Sequence, residues 1–206
     1  MGMWNWLAPS HCASCGIRGE AVCAACRRSM LTAPRPAASH GVTAALPFAG
    51  ITRSLLLALK YRNRREVADV LARVALHRTL PGPVDLVTWS PTSPDRIRRR
   101  GFDQSFLLAA AVARELGVPC RRLLFRRQGP AQTGRRRAER MAETHRYRSS
   151  SVSRRRPQRG LRVLLVDDVV TTGATLLDAR AALEAAGVDE VVALAIAATP
   201  AGGPRR

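Results

Sequence analysis

The segment Leu161 to Thr175, LRVLLVDDVVTTGAT, constrains this chain's fold more than any other. Residues 161–167 form a nearly continuous apolar run of strand length. Strands buried on both faces belong to parallel sheets covered by helices. The run ends in two carboxylates, Asp167 and Asp168. Thr171, Thr172, Gly173, Ala174 and Thr175 then open a helix predicted over 175–186 and stopped by Gly187, and a second buried strand is predicted over 189–197. A helix N-terminus presents unpaired N–H groups and a partial positive charge, which suits a phosphate. Gly173 can take a positive φ and let backbone approach the anion. The threonines add hydroxyl donors, and the two Asp can accept hydrogen bonds from adjacent ribose hydroxyls. A polar strand end and an N-cap turn would explain each piece alone. The order of strand, acids, apolar spacer, Thr-Thr-Gly and helix is what a phosphorylated ribose requires.

Upstream, apolar residues recur at three and four positions over 52–60 and 65–78, predicting two helices. Residues 83–89 read as a buried strand running into Ser90, Pro91 and Thr92. A helix is predicted over 103–116, with Asp103 or Ser105 as its cap and Gly117 as its stop. Residues 121–160 are polar and weakly periodic, and read as a mobile functional loop or a poorly ordered stretch. The domain division is a cysteine-rich head over 1–30, a Pro-containing linker over 31–45 and one α/β domain over 46–206.

Four of the five cysteines form two Cys-x-x-Cys pairs: Cys12 with Cys15, and Cys23 with Cys26. Each pair can form a knuckle, and two knuckles complete a tetrahedral zinc site. A redox Cys-x-x-Cys would stand once, beside a βαβ unit. The fifth, Cys120, reads as a half-buried structural thiol. Nothing at Met1 to Ser10 resembles a secretory signal, and no run approaches the roughly 18 apolar residues of a spanning helix. The chain is therefore expected in the cytoplasm, where paired thiols more often hold metal than form disulfides.

The formal net charge is +19, and Lys60 is the only lysine among 34 basic residues. Codon bias explains such an arginine total. It explains less well the fifteen arginines between Arg121 and Arg162, which face only Glu139 and Glu143. Phosphate, on a nucleotide or a nucleic-acid strand, is the matching partner. Few aromatics accompany these runs, so single-strand stacking is weakly supported by residues alone.

The segment from Val166 to Thr175 resembles the phosphoribosyl-pyrophosphate loop of type I phosphoribosyltransferases. The chain as a whole resembles the ComF family of competence-associated proteins, through Leu59-Lys60-Tyr61, Arg100-Gly101-Phe102-Asp103-Gln104, Gln132-Thr133-Gly134 with Arg140, and the cysteine head. This resemblance implies a type I phosphoribosyltransferase-like parallel sheet flanked by helices, with a small zinc-knuckle head. It implies that Asp167 and Asp168 contact ribose hydroxyls and that Thr171 to Thr175 cradle the 5-phosphate. Ser90, Pro91 and Thr92 would lie where pyrophosphate binds. Arg126, Arg127 and Gln132 would belong to a closing loop, and Lys60 and Arg100 would be weaker phosphate contacts. The ligand would be phosphoribosyl pyrophosphate with Mg²⁺, and the structural metal Zn²⁺. A link to DNA uptake in natural transformation follows, with single-stranded DNA or competence-machinery proteins as partners. Asp103 stands where the family more often has Asn, and a second set of zinc knuckles is missing. The expected activity is phosphoribosyl transfer to an unknown acceptor. The alternative is a non-catalytic binding module of the same fold.

Overall fold

The protein is described by a computed structural model over residues 11–37, 41–126, 147–149 and 160–200. The elements run α1 (Ala24–Thr32), β1 (Val42–Pro47), α2 (Gly50–Tyr61), α3 (Val67–Thr79), β2 (Leu86–Trp89), α4 (Pro94–Arg100) and α5 (Gln104–Leu116). They continue through β3 (Leu124–Arg126), β4 (Tyr147–Ser149), β5 (Arg162–Val170), α6 (Ala174–Glu184) and β6 (Glu190–Ala198). The main sheet has the order β1-β6-β5-β2, and every pairing in it is parallel.

Strand β5 shows why the sheet must be covered twice. Leu164 and Val166 join one buried cluster, with Leu55, Leu56 and Leu59 of α2 and residues of α3 and α5. Val163 and Leu165 join another, with Leu176, Ala179 and Leu183 of α6 and with Leu124 and Tyr147 of the β3–β4 ribbon. Successive side chains of a strand point to opposite faces, so a run apolar at every position is buried on both sides. The predicted parallel α/β sandwich is the observed one.

Three features differ from the sequence expectations. β5 extends to Val170, so Asp167 and Asp168 lie inside the strand, and Asp167 is in register with Ala195 of β6. The linker expected over 31–45 is shorter, because Leu31 and Thr32 finish α1 and β1 begins at Val42, paired with Ala193. Val42, Ala44 and Ala45 are too small to announce a strand, yet their backbone completes the sheet edge. Finally, two described pieces of the 121–160 stretch form an antiparallel ribbon, Leu124 to Arg126 against Tyr147 to Ser149. Cys120 bridges Val87 beside β2 and is half-buried, and burial pushes its thiol up to about 11.

Candidate functional site

The acids sit at the carboxyl end of the central strand, where the parallel sheet opens. Both are buried, each about 8 % exposed. Burial and the adjacent Asp168 charge push the Asp167 carboxyl up to about 7, against the Asp168 N–H, the Ser105 hydroxyl and the Lys60 ammonium. The Ser105 hydroxyl donates to Asp167 Oδ1 at 3.0 Å, and the Asp168 N–H donates to the same oxygen at 2.8 Å. Asp168 Oδ2 is gripped by Lys60 Nζ at 2.6 Å and by Gln104 Nε2 at 3.2 Å.

Two helices place these partners. Leu55, Leu56 and Leu59 are fully buried under the sheet, and each contributes about 1.5–3 kcal/mol toward fixing α2. Lys60, next along the helix, is thereby held against Asp168. Asp103 caps α5 by accepting from the Ser105 N–H at 3.1 Å. That cap orients Gln104 and Ser105 toward the acids. Sequence reading named Ser105 only as a cap and Gln104 only as part of a motif. Their signal was position, since the first residues of a capped helix must face something.

Asp103 also accepts from the Trp89 indole and the Thr92 N–H, each at 3.2 Å. It thus ties α5 to the turn at Ser90, Pro91 and Thr92. In that turn the Ser90 N–H donates to Val166 O at 3.1 Å, and the Ser90 hydroxyl shares a hydrogen bond with the Tyr147 hydroxyl at 2.7 Å. Pro91 has no N–H, so the turn's own donors are largely engaged. Positive charge for a ligand there comes from its surroundings. Thr92 borders a cleft of about 740 Å³ that also takes in Arg98, Arg122, Arg126 and Arg148. Tyr147 was not anticipated as a site neighbour. It is a buried aromatic in an arginine-rich stretch, which is the signal that could have found it.

The threonine loop has the anticipated geometry. Gly173 caps α6 with φ 80°. The Leu177 N–H is the first to bond into the helix, to Gly173 O at 2.9 Å, which leaves the first amides outside the helical ladder. Thr171, Thr172 and Ala174 are exposed. The hollow bounded by Asp167 and the loop measures about 30 Å³, room for a water.

The remaining expected residues separate. Arg100 pairs with no acid among the described residues and donates instead to the Tyr61 hydroxyl at 3.3 Å. Arg126 lies over the Tyr147 ring at 6.0 Å. Arg127 and Gln132 lie outside the described residues, as do Gln132-Thr133-Gly134 and the arginine runs 135–137 and 154–156.

At the other end of the chain, the Sγ atoms of Cys12, Cys15, Cys23 and Cys26 all lie within 4.8 Å of one another. Cys12 and Cys26 are 3.8 Å apart, and Cys15 and Cys23 are 3.7 Å apart. Zn–S bonds of about 2.3 Å in a tetrahedron give sulfur–sulfur edges of about 3.8 Å. Burial works against a thiolate at Cys12, but N–H groups of Cys15, Cys23 and Ser14 outweigh it and bring its pKa down to about 6. Cys26, buried and crowded by the other three sulfurs, is pushed up to about 12. Four thiols at this spacing cannot ionise together unaided, and a divalent cation resolves the conflict. The donor set fits zinc.

The sequence pattern of the phosphoribosyl transferase domain matches residues 103–206, from the cap of α5 through β6. The chain belongs to the phosphoribosyl transferase domain family. Its relatives put it among the ComF-type members. It is 33 % identical over 128 residues to the DNA utilization protein YhgH of Salmonella typhi, covering 58 % of this chain and 55 % of that one. It is 35 % identical over 102 residues to the competence protein ComFC of Streptococcus pneumoniae, covering 49 % and 42 %. The chain thus spans about half the length of the curated relatives it matches. Among solved structures, the allosteric regulatory enzyme of purine biosynthesis superposes at TM-score 0.48 and 21 % identity, over 65 % of this chain and 26 % of that one. Adenine phosphoribosyltransferase of Thermoanaerobacter pseudethanolicus gives TM-score 0.40 and 17 % identity, over 68 % and 83 %. No helix among the described residues is long and apolar enough to cross a membrane.

The raised carboxyl predicts a stability signature for this phosphoribosyltransferase-like domain. Between about pH 4 and 7 the unfolded Asp167 has lost its proton and the folded one has kept it. Stability from this group is therefore present at low pH and is lost as pH rises through 7. Asp167→Asn should flatten that slope and raise stability at pH 8 by on the order of 1–3 kcal/mol. Urea denaturation at pH 5 and pH 8 checks it. Equal pH slopes for the two proteins would contradict it.

Proposed function

We propose that the chain binds phosphoribosyl pyrophosphate with Mg²⁺ and transfers the phosphoribosyl group to an acceptor. The observation that carries this is the juxtaposition of a buried acid pair with a Gly173-capped helix opening, both at the end of the central parallel strand. The 5-phosphate would sit on the first amides of α6 and the hydroxyls of Thr171, Thr172 and Thr175. Asp167 and Asp168 would accept from the ribose hydroxyls and face the cationic sugar of the transition state. The pyrophosphate would lie toward Thr92, near Arg98 and Arg126.

Magnesium is bound through one or two carboxylates plus phosphate oxygens. Asp167 and Asp168 are the carboxylates at hand, and Lys60 already neutralises one of them. The ion would arrive on the diphosphate and supply charge neutralisation for the leaving group. Lys60 and Gln104 hold Asp168 in place, and Ser105 does the same for Asp167. In the transfer, the acceptor's lone pair bonds to ribose C1. The C1–O bond breaks with its electron pair leaving on pyrophosphate, and the acceptor's proton passes to solvent. The zinc reading of the head and a role in competence-linked DNA handling belong to the same proposal. The clustered Sγ atoms support the first, and the likeness to a DNA utilization protein and a competence protein supports the second.

Calorimetric titration of Mg²⁺–phosphoribosyl pyrophosphate is the test. The wild type should bind, and Asp167→Ala with Asp168→Ala should weaken binding at least about 100-fold, equivalent to ~2.7 kcal/mol. No binding by folded, zinc-loaded wild type would overturn the reading. A second reading is a non-catalytic module that holds single-stranded DNA or a competence protein. It is favoured by Phe125, over which the guanidinium groups of Arg122 and Arg148 lie at 4.4 Å and 5.5 Å. It calls for DNA binding with a steep salt dependence and no pyrophosphate release.

A further inference from the structure

Helix α4 carries arginines toward two different cavities. Arg98 lines the cleft beside Thr92. Arg96, Arg99 and Arg100 line a separate cavity of about 480 Å³ that also takes in Lys60, Tyr61 and Phe102. The second cavity adjoins the acids through one residue. Lys60 lines it while its ammonium lies 2.6 Å from Asp168 Oδ2, with the side chain only 15 % exposed.

Four properties point to a ligand. The cavity lining holds four cations and no carboxylate. Among the described residues no acid pairs with Arg96, Arg99 or Arg100, whereas Arg98, on the other side, pairs with Asp95. Arg100 Nη1 is buried with no hydrogen-bond partner, and a buried charged donor left unpaired is costly. Finally, two rings stand here. Tyr61 is 68 % exposed and lies under the Arg100 guanidinium at 5.0 Å. Phe102 is half-buried and covered by Arg65 at 4.7 Å. A large aromatic left this exposed beside unpaired cations suits a flat, negatively charged molecule.

We infer that this cavity binds a planar ring bearing a carboxylate or phosphate, and that this ring is the phosphoribosyl acceptor. The acceptor assignment rests on the reading above. Substitution at C1 brings the nucleophile in opposite the leaving group. Pyrophosphate has charge but no ring, and the cleft beside Thr92 supplies four arginines for it, Arg98, Arg122, Arg126 and Arg148. The cavity with the exposed Tyr61 ring is lined by the other arginines of α4 and shares Lys60 with the acid pair. Its arginines would draw in the anionic group, the exposed Tyr61 ring would stack the plane, and Lys60 would mark the boundary with the ribose.

The probes are matched pairs of one ring with and without charge: orotate and uracil, nicotinate and nicotinamide, benzoate and benzamide. Each is titrated into the full zinc-loaded chain, with and without Mg²⁺–phosphoribosyl pyrophosphate, by calorimetry and ligand-detected NMR. At least one carboxylate should bind about tenfold or more tightly than its uncharged partner, the worth of one charge-assisted contact. Arg96→Gln with Arg99→Gln, both at exposed positions, should erase that preference, and so should Tyr61→Leu lower the affinity of the same probe. Thermal melts identify any variant that fails to fold, in which case Arg96→Lys with Arg99→Lys replaces it and should retain part of the preference. No charge preference in a wild type that binds phosphoribosyl pyrophosphate overturns this inference and leaves the proposed function intact. Displacement of the carboxylate by pyrophosphate alone would also overturn it, since the cavity would then hold the leaving group. Arginine-dependent carboxylate binding without phosphoribosyl pyrophosphate binding would support the anion cavity and sink the donor reading.

Discussion

Replacing Arg78 with Ala should destabilise the fold by about 3–5 kcal/mol, from the cavity left by a long buried side chain and the carbonyls that lose their donor. Arg78 is 5 % exposed, yet it meets no carboxylate among the described residues. Its guanidinium instead donates to three backbone carbonyls: Ala45 O at 2.8 Å, Ala33 O at 2.7 Å and Leu31 O. Leu31 and Ala33 lie at the carboxyl end of α1, where carbonyls lack helical partners and a cation is favoured. Ala45 belongs to β1, the edge strand. One side chain from α3 therefore fastens the head's helix to the sheet edge. Alanine would leave the buried Ala45 carbonyl and two part-buried carbonyls without this donor, and a cavity besides. Arg78→Met keeps most of the volume and should lose about 2–3 kcal/mol, because the carbonyls remain orphaned. Urea denaturation of both variants checks the ranking. A loss below ~1 kcal/mol for alanine would show that water or backbone movement satisfies the carbonyls.

Stripping metal from the head should have a comparable or larger effect. Purified protein is expected to carry one zinc per chain by elemental analysis. Chelation, or Cys26→Ser, should lower the melting temperature by about 10 °C, corresponding to several kcal/mol in a chain of this size. The effect should spread beyond the knuckles. Cys12, Ala13, Val22, Cys26 and Met30 belong to the same buried cluster as Leu59 and Leu71 of the main domain. Loss of the head would uncover that surface. Unchanged melting in chelator, with no metal in the purified protein, would refute the zinc centre.

Much of the core was legible in the chain because it depends on short-range pattern. A run such as Val163 to Val166 can satisfy its apolar side chains only between two layers, so β5 and the parallel sheet followed from periodicity. The loop from Thr171 to Thr175 was legible for a related reason. A helix opening is a local structure, and Gly173 at positive φ followed by amides outside the helical ladder needs nothing distant. The four cysteines were legible through spacing alone.

Other features depended on residues far apart in sequence. Nothing near Lys60 indicates that it will meet Asp168, 108 positions later, at 2.6 Å. That meeting follows from burial of Leu55, Leu56 and Leu59 under the sheet. Val42 to Pro47 became a strand because the edge of β6 offered unpaired backbone groups, which small residues can approach without signalling it in composition. Asp103 as a joint between α5 and the Ser90–Thr92 turn, Tyr147 beneath that turn, and Arg78 under the head are also products of packing. So is the division of the α4 arginines between two cavities. Local sequence determined which segments could be strands, helix openings or metal knuckles, since backbone preference and side-chain alternation act over a few residues. Only the tertiary structure decided which charges share a site, because desolvation and hydrogen bonding act between groups that the closed chain brings together.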